Sequence, residues 1–254
     1  MNALERFAPL PLQDGFDNAG LQVGLTEMEA TGVLLCLDIT EAVIDEAIAL
    51  GFNVIISHHP LIFKSLKCIS GQTYSERCIV KAIKNDIVIY SAHTNLDNAC
   101  KGVNFKIAEK IGLHDIRILA PNKEESMVGS GVIGFLDKPE SELDFLKRIK
   151  KIFEVECIRH NKLTGRLIHK VALCGGAGAF LIPNAIQVEA DIFITGEIKY
   201  HEYFGREKDI LLAEIGHYES EQYTKDLLIS ILKKEFPSLE IEKTKINTNP
   251  IKYL

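Results

Sequence analysis

Between residues 32 and 57 the chain reads GVLLCLDI, then EAVIDEAIALG, then FNVIIS: two unbroken apolar runs separated by a stretch with apolar residues at helical spacing. This order constrains the fold more than any other feature, because short, wholly apolar strands joined through a helix are the mark of a parallel βαβ unit, buried on both faces. The helix is predicted from Val43, Ile44, Ala47, Ile48 and Leu50, which fall on one face, with Gly51 as its C-terminal stop. The alternation continues with YSERCIVKAIKN as a second amphipathic helix and DIVIYSAH as a third strand.

A polar stretch containing a proline, LAPNKEESMVG, interrupts the pattern and places a lobe boundary near residues 119–127. Beyond it, SGVIGFLD, EVECIRH, HKVALCGGAGAF, DIFITG and DILLAEIG read as strands, ESELDFLKRIKKIF as a helix, and HYESEQYTKDLLISILKKEF as one closing helix. The expected organisation is α/β: an N-terminal lobe over residues 1–122, a second lobe over 123–215, and a C-terminal segment over 216–254 that opens with the closing helix. Each lobe is expected to hold a mixed, partly parallel sheet.

Composition narrows the function. A chain of 254 residues can bury a sizeable core without metal or disulfide staples, so stability alone does not require a metal. The net charge of −6 and scattered Lys and Arg offer no electrostatic footprint for nucleic acid. The six cysteines stand apart, without a CxxC pair, and read as small core residues of a protein in a reducing cytosol. No run of about 18 apolar residues exists to cross a membrane, and the N-terminus lacks the apolar run of a signal peptide. A cytoplasmic protein is expected.

Three strand ends carry the candidate chemistry. IISHHP delivers His58 and His59, with Pro60 favouring the end of the strand; SAHTNLDNA delivers His93 and, four residues on, Asp97; IGHYESE delivers His217 and Glu221. In open α/β sheets ligands gather at the carboxyl ends of strands, and an i, i+4 pair at a helix start shares one face. Taken singly, each pair could be a buried histidine, a cap or a solvated acid. Together they form an imidazole and carboxylate set suited to Zn, Mn, Fe, Co or Ni, and a bridging carboxylate could hold two ions. In TGEIKYHE, Glu197 and His201 are further candidates, as extra ligands, supporting groups or acid/base residues. CGGAGAF is read as a tight strand-to-helix turn rather than a phosphate cradle, since it matches neither GxGxxG nor the P-loop spacing.

The ordered series DGFDNAGLQVG, ISHHPLIF, SAHTNLDNA, CGGAGAF, TGEIKYHE, GHYESE and NTNPIKYL, running nearly end to end, resembles the Nif-three-like (NGG-interacting factor three) proteins, also known as GTP cyclohydrolase I type 2. The resemblance implies a fold of two intertwined α/β lobes, with a C-terminal helix and strand over 216–254 returning to the N-terminal lobe, and a homohexameric ring with metal sites lining its cavity. It places His58, His59, Asp97, His217 and Glu221 on the ligands of two divalent ions per subunit, His93 on a further metal-proximal histidine, and Asp17 and Asn18 in the lining. The helix ahead of the first motif is expected to be shortened, and no extra domain is expected between the lobes.

Two functions from different classes are consistent with this pattern. The first is a metal-dependent hydrolase acting on a nucleotide-like substrate through a metal-activated water, with His93, Glu197 or His201 moving protons. The second is a ring-forming regulatory or metal-handling protein without catalysis, which has standing because no separate nucleophile or substrate fingerprint accompanies the ligands.

Overall fold

The computed structural model describes residues 1–122 and 126–254, which fall into two compact units. The first comprises Met1–Leu96 and Thr224–Lys252 with Leu254; the second comprises Asp97–Tyr223 with Tyr253. The stretch read from sequence as a lobe boundary includes residues 123–125, which lie outside the described residues.

The first unit opens with α1 (Asn2–Phe7), β1 (Gly20–Val23), β2 (Val33–Cys36), α2 (Glu41–Leu50), β3 (Val54–Ser57), α3 (Tyr74–Lys84) and β4 (Val88–Ser91). The βαβ reading is realised in its elements, although Ile48 and Leu50, expected on the buried face of the helix, are exposed. Thr40 caps α2 by accepting from the Val43 amide, and Gly51 ends the helix at φ +73°, a conformation glycine adopts without strain. Thr73 caps α3 in the same way. β2, β3 and β4 run parallel in register, and one face is sealed by Val43, Ile44 and Ala47 of α2 and Cys78, Ile79 and Ala82 of α3. β1, which the sequence reading missed, pairs antiparallel with β4.

After α4 (Thr94–Asn98), the second unit contains α5 (Val103–Ile111), β5 (His114–Pro121), β6 (Gly129–Ser141), α6 (Glu142–Ile152), β7 (Arg159–His160), β8 (Leu167–Cys174), α7 (Ile182–Gln187), β9 (Ile192–Thr195), β10 (Leu211–Glu214) and α8 (His217–Glu221). Its sheet has the order β5-β6-β8-β9-β10-β7. Only β8, β9 and β10 are mutually parallel, and the flanking strands are antiparallel to their neighbours. The strand read across EVECIRH shrinks to Arg159–His160, because the chain leaves α6 through Glu154 at φ +56° and buries Val155 outside the sheet.

The closing helix read from sequence is two helices. α8 ends at Glu221, and α9 (Thr224–Glu235) starts beyond the change of unit at Tyr223. α9 packs on β2, and β11 (Ile241–Lys243) adds a parallel strand to β2, giving the first sheet the order β1-β4-β3-β2-β11.

Candidate metal centre

In the first unit, register creates the site. Cys36, Ser57 and Ser91 lie side by side in three parallel strands, so the chain leaves all three at one end of the sheet. Two residues past that row stand Asp38, His59 and His93, with His58 between Ser57 and His59. β1 runs the other way, with Gly20 beside Ser91, so the segment leading into it brings Asp17 to the same end. The Ser57 and Ser91 hydroxyls lie 2.8 Å apart, and Ser57 also donates to the His59 carbonyl at 2.8 Å, fixing the turn on which the two histidines sit.

The imidazoles of His58, His59 and His93 consequently form a triangle, with ring centroids 5.0, 5.2 and 5.4 Å apart. One ring nitrogen of each lies within 4.8 Å of the others. Each ring is held from behind. Nδ1 of His58, fully buried, is 2.8 Å from the Ala92 carbonyl; Nδ1 of His59 is 2.7 Å from Asp38 Oδ1; Nδ1 of His93 is 2.7 Å from Asp17 Oδ1. A carbonyl or carboxylate oxygen can only accept, so Nδ1 carries a proton in each ring, and Nε2 is the ring atom whose lone pair could serve a metal.

The backing acids are themselves secured. Burial works against the Asp17 carboxylate, yet hydrogen bonds from His93 and Thr94 outweigh it and hold its pKa down at about 2. Burial likewise opposes ionisation of Asp38, and contacts with His59 and with the Thr248 hydroxyl, 2.7 Å away, outweigh it and keep that carboxyl below the usual range. Both acids are therefore anionic acceptors.

The second unit repeats the device with different residues. Cys174, Thr195 and Glu214 share a row in three parallel strands, and the chain leaves them through Gly175–Gly176, Gly196–Glu197 and Ile215–His217. The glycines are steric necessities. A Cβ on Gly176, at φ +60°, would stand 2.2 Å from Glu221 Oε1, and one on Gly196 would stand 2.8 Å from the His217 Cα. The Gly175, Gly176 and Gly178 amides donate to Asn104, Ser220 and Thr195. CGGAGAF is thus a turn whose donors hold the site together, and they are not left to cradle a phosphate.

On α8, His217 and Glu221 occupy one face, with Nε2 and Oε2 3.1 Å apart. Adjacent ligands on one transition ion, each about 2.0–2.2 Å from it, are separated by about 3 Å. His217 Nδ1 lies 2.8 Å from Glu197 Oε1, so its Nε2 lone pair faces a carboxylate, an arrangement that a cation between them reconciles. A carboxylate oxygen of Asp97 lies within 4.8 Å of one from the nearly buried Glu221. Asn104 donates to the Asp97 carbonyl at 3.2 Å while accepting from Gly175, which ties α4 to the glycine turn.

The donor set suits borderline divalent ions: imidazole nitrogens with fixed tautomers, plus carboxylates. The first unit assembles His58, His59 and His93, and in the second Glu221 stands close to His217 and, separately, to Asp97. Glu197 stands behind His217. His201 is exposed on a short turn, beside the rings of Tyr200 and Phe204, and is not among the groups brought together. The sequence reading missed Asp38, although an aspartate just past a buried strand, level with HH on the next one, was a usable signal. Thr248 gave none.

Fold and site define a mixed α/β protein in which the ends of parallel strands present histidine and carboxylate donors. The chain belongs to the Duf34/NIF3 (NGG1p interacting factor 3) family, whose model matches residues 1–250. Among its relatives, a GTP cyclohydrolase 1 type 2 homolog of Clostridium perfringens is 37% identical over 224 residues, covering 87% of this chain and 85% of the relative. Another, from Lactococcus lactis subsp. lactis, is 34% identical over 254 residues, covering 97% and 95%. The crystal structure of a Staphylococcus aureus hypothetical protein superposes with a TM-score of 0.92 at 31% identity, over 100% of this chain and 97% of that one. A Bacillus cereus protein related to NIF3 does so at 0.91 and 25% identity, with the same coverage.

Proposed function

We propose that this protein is a dinuclear metal-dependent hydrolase of the GTP cyclohydrolase 1 type 2 kind, acting on a nucleotide-like substrate. The reading assigns His58, His59, Asp97, His217 and Glu221 as the ligands of two divalent ions drawn from Zn, Mn, Fe, Co or Ni. His93 stands beside them as a proton carrier. The observation that carries the reading is the shared orientation of four imidazoles, each with Nδ1 against an oxygen acceptor and Nε2 left as the donor. Bound ions of this class supply Lewis-acid activation of water and of the substrate oxygen. His93, tied through Nδ1 to an anionic Asp17, can take up a proton at Nε2 and have the resulting charge stabilised from behind. Glu197 orients His217, and His201 is left with no proposed part in the chemistry.

The names of the relatives support the choice of substrate class. The reading also includes a homo-oligomer, hexameric in form, and a cytoplasmic setting. Six cysteines that form no disulfide and, among the described residues, no helix long and apolar enough to cross a membrane are consistent with that setting. The test is elemental analysis of purified protein, followed by assay of the Mn- or Zn-loaded form with GTP and a panel of phosphoesters. Wild type should hold two ions per chain and turn over a substrate, and Asp97→Ala should lose both properties. Full metal content without turnover of any substrate would favour a metal-handling or regulatory protein instead.

A further inference from the structure

Among the exposed aromatic side chains of the first unit are Phe16 at 65% and Phe63 at 45%. Rings this large are normally buried, and neither is a stray surface residue. Phe16 immediately precedes Asp17, which backs His93; Phe63 lies four residues beyond His59, and its ring meets that of His93 edge-on at 6.1 Å. The Phe16 and Phe63 centroids are 6.3 Å apart with the planes inclined at 59°.

Their two loops are fastened to each other by polar contacts that leave the rings outside. Asn18 Nδ2 donates to the Ile62 carbonyl at 2.7 Å, the Ile62 amide donates to Gln22 Oε1 at 3.1 Å, and Gln22 Nε2 donates to the Asn18 carbonyl at 2.6 Å. The cost of presenting the rings to water is thus accepted by a rigid scaffold, and the rings sit next to the imidazole triangle.

We propose that Phe16 and Phe63 form an aromatic platform for the flat heterocycle of the substrate, a purine-type base, and hold it beside the histidine cluster. Inclined rings at this spacing let a planar ligand stack on one face and meet the other at its edge. Area argues for a small flat occupant over a second copy of the chain. Two partly exposed phenyl rings offer far less than the about 800 Å² per partner of a stable protein interface, but match one stacked base. The proposal rests on the nucleotide-directed reading of the site and extends it to the part of the substrate that is recognised.

The test is calorimetric titration of the metal-loaded full chain with guanosine monophosphate and, in parallel, ribose 5-phosphate, which has the sugar and phosphate but no base. Wild type should prefer the nucleotide. Phe63→Leu and Phe16→Leu, with metal content unchanged, should each weaken guanosine monophosphate binding by about 5- to 150-fold, the range for losing a base–aromatic stack. Binding of ribose 5-phosphate should not change, and Phe63→Tyr, which keeps a π face, should restore the affinity.

Equal affinity for the nucleotide in wild type and leucine variants, or no wild-type preference for it over ribose 5-phosphate, overturns the platform. So does a leucine variant that lowers the mass in sedimentation while leaving nucleotide binding intact, which assigns the rings to self-association. Base-dependent binding without turnover would retire the hydrolase reading and leave the platform standing.

Discussion

The two units build the same kind of strand-end platform and furnish it in opposite ways. In the first, the row Cys36, Ser57 and Ser91 is followed by side chains that are themselves donors or their supports: Asp38, His58, His59 and His93. In the second, the row Cys174, Thr195 and Glu214 is followed by Gly176, Gly196 and Gly216, and the donors come from α8 and from Asp97 at the end of α4. The first unit is limited by orientation, since three crowded rings must each be turned correctly; the second is limited by space, since a nearly buried Glu221 must fit against a backbone turn. Substitutions should therefore fail for different reasons in the two units.

The largest effect is expected from Gly176→Ala. A methyl group there meets Glu221 Oε1 and also strains a residue at φ +60°. Loss of metal affinity should exceed the about 10- to 100-fold that supporting groups command, because a proposed ligand is displaced outright. Titration of metal-free protein with Mn or Zn measures it, and near-normal affinity in a folded variant would show that steric clearance is not what fixes Glu221.

In the first unit the matching experiment removes support and leaves space alone. Asp38→Ala should weaken metal binding by about 10- to 100-fold, by freeing the His59 ring and its tautomer. Thr248→Val removes one hydrogen bond to the far oxygen of Asp38 and should cost less, about 5-fold, in line with one hydrogen bond of about 1 kcal/mol. The graded order is the point. If Thr248→Val equals Asp38→Ala, the tail contributes more than a hydrogen bond, and if Asp38→Ala has no effect, orientation is not limiting.

How much of this was legible in the sequence follows the same division. The parallel strands and crossover helices of the first unit announce themselves, because Val33–Cys36 and Val88–Ser91 are buried throughout and α2 and α3 carry clear caps. β1 did not, since GLQV is a short edge strand with exposed Leu21 and no long apolar run. In the second unit, EVECIRH carries strand-like residues whose pairing is prevented by the exit from α6, a tertiary effect absent from local pattern.

His58, His59, His93, His217 and Glu221 were visible because metal-binding residue types cluster at strand ends. Asp38 was overlooked although its place just past a buried strand gave a signal; its contact with Thr248 was not legible, because the two are 210 positions apart and the tail is brought there by β11, which pairs with β2.

The smallest expected effect compares two carboxylates that anchor loops, one per unit. Glu76 accepts from the Ser70 hydroxyl and amide, from the Gln72 amide and from the Thr73 hydroxyl. These hydrogen bonds, the one from Ser70 foremost, hold its pKa at about 2 against an ordinary 4.5. Glu142 accepts from the Thr164 amide and hydroxyl and from the Gly165 amide; burial opposes its ionisation, but the bonds prevail and its pKa is lowered. Both folded values lie below the unfolded one, so both contributions are complete above pH 4.5 and are lost as pH falls through the folded values.

Melting temperature should therefore drop between pH 5 and pH 2, and the Gln variants should melt a few degrees lower at neutral pH but change less on acidification. Glu76→Gln should flatten the profile more than Glu142→Gln, since Glu76 collects more donors and no burial opposes it as the leading influence. Parallel acid profiles for wild type and Glu76→Gln would mean that the loop ahead of α3 is held by something other than this carboxylate.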